Sequence, residues 1–154
     1  MLSKEFKDVI KLICSGIKDK RIKWALVGST NMYLQGINVD PNDLDITTNI
    51  NSLKIFEKEF NEHIIKPISK NIKKKYSFKT NELKLLIKGI EVQIIGEHDN
   101  GVYFENINKG NIVLVGLDNI KIPCLSLSSE ADAYSKTGRN NKADLIINFL
   151  TKIK

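Results

Sequence analysis

Trp24-Ala25-Leu26-Val27-Gly28-Ser29-Thr30, followed further along by Asp43-Leu44-Asp45, is the stretch on which the reading of this chain turns. An apolar run ending in Gly-Ser predicts a buried strand that turns tightly into a helix. Two aspartates one residue apart on an alternating segment point to one side of a second strand. Together they suggest a phosphate cradle beside a pair of metal-binding carboxylates.

Working outward, Phe6, Val9, Ile10, Ile13 and Ile17 recur at helical spacing, so an amphipathic helix is expected between Ser3 and Lys18. Ser29 is expected to cap a helix running to Gln35, with Gly36 as its stop. Asp43 to Thr48 reads as the next strand and Ser52 to Phe60 as a helix with Leu53, Phe56 and Phe60 inward. Beyond Pro67 the chain is basic at Lys70, Lys73, Lys74 and Lys75, and then alternates. Leu83–Ile87 and Ile90–Ile95, joined by Lys88-Gly89, predict a β-hairpin. Asn111–Val115 and Ile120–Leu125 are two more strands around Asp118-Asn119. A helix from Ser126 through Tyr134, a break at Gly138 and a closing helix over Asn141–Ile153 complete the pattern. The fold class is α+β, a mixed β-sheet flanked by helices with two helices at the C-terminus, expected as one domain over residues 1–154.

The 154 residues, 42% hydrophobic and 27% charged, suit one core of ordinary size. Twenty-four Lys and Arg against 18 Asp and Glu leave a net charge of +6, which favours polyanionic partners through long-range attraction. Cys14 and Cys124 lie far apart without Cys-x-x-Cys spacing, so free thiols in a reducing cytoplasm are expected and a structural zinc site is not. No apolar run approaches membrane-spanning length, which predicts a soluble cytoplasmic protein without a membrane partner. Ser126, Ser128 and Ser129 lack a glycine-rich elbow and a partnered histidine, which argues against a serine hydrolase.

The chemistry of the opening stretch follows from charge. Gly28 permits close approach of a phosphate, and the Ser29 hydroxyl can donate to one, although a plain helix cap would use the same two residues. Carboxylates at Asp43 and Asp45 repel one another unless a cation bridges them. An oxygen-only, strongly negative set suits Mg²⁺ or Mn²⁺. A solvated strand end or an Asx turn after Pro41-Asn42 is the alternative.

Val27-Gly28-Ser29, an interval, and Asp43-Leu44-Asp45-Ile46 resemble the motif of the polymerase-beta-type nucleotidyltransferases. Tyr134-Ser135-Lys136-Thr137-Gly138-Arg139-Asn140-Asn141-Lys142-Ala143-Asp144 is similar to the C-terminal helix pair of small members, including the lincosamide-type antibiotic nucleotidyltransferases. The resemblance implies transfer of a nucleoside monophosphate from an NTP, ATP among them, to an acceptor hydroxyl that the sequence does not identify: a small molecule, a protein or an RNA. It implies that Gly28 and Ser29 hold the β- and γ-phosphates and that Asp43 and Asp45 bind the metal. It makes Lys136, Arg139 and Lys142 candidates for neutralising the triphosphate or touching the acceptor. It also implies an acceptor site built across the interface of a homodimer.

One position departs from the family pattern. The third acid, which in the family binds the metal and helps to deprotonate the acceptor, is expected on the strand Ile90-Glu91-Val92-Gln93-Ile94-Ile95, where this chain has Gln93. Glu91, about 6.6 Å earlier on the same strand face, is then the candidate catalytic acid. A catalytically impaired nucleotide-binding or regulatory module is the second reading, and an RNA-binding domain using Lys70 to Lys75 with Tyr76 and Phe78 is the third.

Overall fold

The computed structural model describes residues 2–73 and 78–153. Its frame is a seven-stranded mixed sheet in the order β3-β4-β5-β2-β1-β7-β6, built from β1 (Trp24–Val27), β2 (Leu44–Asn49), β3 (Ile64–Lys73), β4 (Phe78–Ile87), β5 (Ile90–Glu97), β6 (Ile112–Leu117) and β7 (Ile120–Leu125). The β1–β7 and β2–β5 pairs are parallel and the remaining neighbours antiparallel.

Helices α1 (Lys4–Ile17) and α3 (Ile50–Glu59) cover one face. Phe6, Val9, Ile10, Ile13 and Ile17 from α1 meet Leu53 and Phe56 from α3 on a floor of Leu26, Leu44, Ile46, Leu83, Leu85, Val92 and Ile94. The alternation of strand side chains explains that floor: Leu44 and Ile46, Leu83 and Leu85, and Val92 and Ile94 each lie two residues apart on their strands, and the register aligns them. Trp24 stands edge-on to Phe56 with ring centroids 6.5 Å apart, in the core as expected.

The opposite face is divided. Over β1 and β7 it is covered by α2 (Gly28–Leu34), α4 (Phe104–Asn108), α5 (Leu127–Lys136) and α6 (Asn140–Lys152). Met32, Leu127, Ala131, Tyr134, Ala143 and Ile146 interlock there, and Val27 and Leu125 pack against Tyr103 and Ala133. Over β2, β5 and β4 the same face carries polar side chains. Val27 lies opposite Asp45 in the β1–β2 register, so Asp45 points to this side while Leu44 and Ile46 point into the core.

Several sequence expectations shift. Ser29 does not cap α2: the helix begins at Gly28, Val27 holds the cap position without a side-chain bond, and Ser29 falls in the first turn. β2 begins at Leu44, so Asp43 stands just before the strand. Helix α3 starts two residues earlier than expected, because Asn49 Oδ1 accepts from the Ser52 N–H at 2.7 Å and so caps it. The short α4 is absent from the periodicity, being only five residues long. Lys74, Lys75 and Tyr76, with the side chains of Lys73 and Phe78, lie outside the described residues. Cys14 and Cys124 are free, and burial pushes their thiols up to about 11 and about 12. Among the described residues no helix is long and apolar enough to cross a membrane.

Phe56 is fully buried where α1, α3 and the sheet meet. Phe56→Ala is expected to lower the unfolding free energy by about 3–5 kcal/mol in urea titration, and a loss below about 1 kcal/mol would contradict this packing.

Candidate active site

Where the helices stop covering the second face, a cavity of about 250 Å³ opens. Gly28 and Ser29 form one wall, Asp43 and Asp45 the floor beside them, and Arg139 and Lys142 the wall from the C-terminal helices. The structure thus gathers six of the residues singled out in the sequence around one space. It places the other two elsewhere. Lys136 is exposed and pairs with Asp132 at 3.0 Å, one turn back on its own helix. Glu91 is half-exposed, pairs with Lys84 at 3.3 Å, and does not line the cavity.

Gly28 lines the cavity and also takes part in two contacts with side chains distant in sequence. Its N–H is already committed, donating to Glu130 Oε1 at 2.6 Å. Its φ of +77° is in the left-handed region, and a Cβ there would lie 2.6 Å from Asp45 Oδ2. The glycine therefore reserves room for the Asp45 carboxylate. Ser29, partly exposed, lines the cavity beside it.

Asp45 is pushed up to about 7, first by burial and then by the charge of Asp43, against the opposing influence of Lys142 and Arg139. Two crowded carboxylates whose charged forms resist each other make a donor set for a hard divalent cation. Among the described residues no group of three or more His, Cys, Asp or Glu converges on a metal position. A pair of carboxylates completed by water and substrate phosphate oxygens is the arrangement that Mg²⁺ favours, so the residues present fit that ion.

Arg139 is held by two tyrosines. Its Nη2 donates to Tyr103 Oη at 2.6 Å, and its guanidinium lies 4.7 Å from the centre of the Tyr134 ring. Tyr103 is positioned in turn by Glu97, whose Oε1 accepts from the N–H groups of Tyr103 and Phe104 at 3.1 and 2.9 Å. Burial raises Glu97 above the usual carboxylate range, partly offset by those bonds.

The sequence reading missed Thr80, Glu82, Tyr103 and Tyr134, all of which line the cavity, and Glu130 behind Gly28. Glu82 carried a signal: it alternates with Leu83 and Leu85, so it had to share a face with Lys84. The register that sets it diagonally beside Gln93 on the next strand lay beyond local periodicity.

Residues 9–149 match the model of the aminoglycoside-2''-adenylyltransferase family. The chain belongs to that family. Among solved structures, a Thermotoga maritima protein provisionally assigned as a nucleotidyltransferase superposes with a TM-score of 0.78 at 28% identity, over 99% of this chain and 96% of that one. The antibiotic-resistance factor ANT(2'')-Ia, in a solution structure, gives a TM-score of 0.60 at 10% identity, over 94% of this chain and 83% of its own. The same protein in a crystal complex with adenylyl-2''-tobramycin gives 0.53 at 9%, over 96% and 98%. At these two identities the likeness to ANT(2'')-Ia is one of fold. No curated protein matches the chain significantly. Family and fold make this a nucleotidyltransferase, as the two sequence motifs implied.

Glu130 generates a pH prediction. It is fully buried, and burial raises it from 4.5 to about 7, although Asn31 and Gly28 donate to it. The unfolded chain releases this proton near the ordinary value and the folded chain only near 7. Stability from the neutral acid is therefore full below about 4.5 and is lost as pH rises through 7. Glu130→Gln keeps an oxygen for Gly28 and Asn31 and cannot ionise. Between pH 4.5 and 7.5 the wild type should lose stability relative to this variant, by on the order of 3 kcal/mol, as measured by urea unfolding. Parallel profiles would show that Glu130 titrates normally in the fold.

Proposed function

We propose that the protein catalyses Mg²⁺- or Mn²⁺-dependent transfer of a nucleoside monophosphate from an NTP to an acceptor hydroxyl, releasing pyrophosphate. The observation that carries this is the Asp43–Asp45 pair facing one cavity with Ser29, Arg139 and Lys142. The family name makes ATP the first donor to test, and the adenylylated tobramycin bound to ANT(2'')-Ia makes an aminoglycoside the first acceptor.

In this reading Asp43 and Asp45 would hold the cation, which would supply neutralising charge and polarisation at the phosphates. The Ser29 hydroxyl donates to a phosphate oxygen. Arg139 and Lys142 face the negative charge that develops as pyrophosphate departs, Arg139 through a planar fork fixed by Tyr103 and Tyr134. Gly28 contributes by leaving Asp45 its space, and Glu130 by fixing the turn on which Gly28 and Ser29 sit.

Gln93 supports a second reading, a nucleotide-binding module without turnover, because an amide cannot accept the acceptor's proton. The two separate in one experiment. Pyrophosphate release is followed with each of the four common NTPs, Mg²⁺, and tobramycin, a polyol panel or an RNA oligonucleotide as acceptor. Transfer in the wild type and a drop of roughly a thousandfold in Asp45→Asn are expected. Mg²⁺-dependent nucleotide binding without turnover would favour the second reading, and absence of nucleotide binding would sink both.

A further inference from the structure

Gln93 lies opposite Asp45 in the parallel β2–β5 register, at the place where an acid is expected on β5. The next strand outward supplies one. Gln93 is opposite Lys84 on β4, and Glu82, two residues before Lys84, projects from the same side of the sheet. Asp45, Gln93 and Glu82 thus form a row over three neighbouring strands, all bordering the cavity. Gln93 Nε2 donates to Glu82 Oε1 at 2.6 Å. Glu82 is only 2% exposed although it borders the cavity. The bond from Gln93 fixes the orientation of the Glu82 carboxylate at the border of the cavity.

We propose that Glu82 is the catalytic base, taking the proton-accepting part of the role that the resemblance assigned to an acid on β5, with Gln93 as the residue that positions it. The proposal rests on the nucleotidyl-transfer reading above and names the residue on which its chemistry turns. The two strand spacings between Asp45 and Glu82 amount to about 10 Å at the backbone, and a glutamate, one methylene longer than an aspartate, recovers part of that distance. In the step itself, the acceptor hydroxyl oxygen forms a bond to the α-phosphorus of the NTP. The bond from that phosphorus to the bridging oxygen breaks with its electron pair leaving on pyrophosphate, and the hydroxyl proton passes to the Glu82 carboxylate.

One further observation fits. The Thr80 hydroxyl, on the same strand face two residues earlier, is buried at the cavity with no hydrogen-bond partner among the described residues. An acceptor hydroxyl brought to Glu82 would be within the reach of that group.

The test moves the carboxylate from one strand to the other. Glu82→Gln, Gln93→Glu and the double variant Glu82→Gln/Gln93→Glu are compared with wild type, using ATP and Mg²⁺ with tobramycin and, separately, with water as acceptor. Pyrophosphate release is one readout, and equilibrium binding of ATP and of Mn²⁺ is the second. Glu82→Gln should lower kcat by about 10²–10⁴-fold while ATP and Mn²⁺ affinities stay within about twofold. The double variant should recover at least about tenfold of that loss, because it restores an acid to the same row. Retention of kcat within about threefold in Glu82→Gln would overturn the assignment, as would a double variant no faster than the single one. A parallel loss of ATP affinity and kcat would also overturn it, by making Glu82 a nucleotide-site residue. A wild type that binds ATP but releases no pyrophosphate in either assay overturns it together with the transfer reading. A fast wild type and an equally fast Glu82→Gln leave transfer standing and remove Glu82 alone.

Discussion

The hydrogen bond from the Gly28 N–H to Glu130 Oε1 joins residues 102 positions apart, and the arrangement of the second sheet face depends on it. The same oxygen accepts from Asn31 Nδ2 at 3.0 Å, and that amide also reaches the Leu125 carbonyl at 2.9 Å. Gln35 adds bonds to Asn31 Oδ1 and to the same carbonyl. One polar network therefore ties the β1–α2 turn, the end of β7 and the first turns of α5. Without it the helix pair that carries Arg139 and Lys142 would lose its polar tie to the β1–α2 turn beside Asp45. Buried networks of this kind specify one geometry because every alternative leaves a group unsatisfied.

The second face divides by what covers it. The helices over β1 and β7 bring enough apolar side chains to seal that half. The strands beyond carry Asp45, Gln93, Glu82 and Lys84 on this side, while their apolar partners face α1 and α3. The site is thus the border between a sealed and an unsealed half of one surface. Such a border concentrates charge in a partly dry place, where electrostatic interactions are stronger than in open water. Burial leads among the causes that raise Asp45 for this reason.

Much of this was legible in the sequence. The strand limits Trp24–Val27 and Ile120–Leu125, the hairpin at Lys88-Gly89 and the break at Gly138 all follow from period-two or helical alternation and turn chemistry. Asp43, Asp45, Ser29, Arg139 and Lys142 reached one cavity because each sits at the end of an element whose position is set by the apolar pattern around it. What stayed hidden depended on pairs distant in sequence. Glu130 reads locally as an acid in a first helical turn, and nothing near it announces a bond to Gly28. Gly28 itself reads as a phosphate glycine, because the carboxylate that needs its empty side comes from another strand. Lys136 was drawn into the motif by proximity to Arg139, yet the helical angle turns it outward to Asp132.

The clasp around Arg139 has a kinetic and entropic meaning. Free arginine side chains carry about 2 kcal/mol of rotamer entropy, and an anion that recruits one must freeze it. Here the ring of Tyr134 beneath the guanidinium and the hydroxyl of Tyr103 beside it have already done so, and Glu97 holds Tyr103 from behind. An anion entering the cavity meets a cation that needs no search. Ordering that would otherwise be paid at each encounter is built in when the chain folds, so the loop bearing Tyr103, well away from the aspartates in sequence, contributes to the readiness of the site.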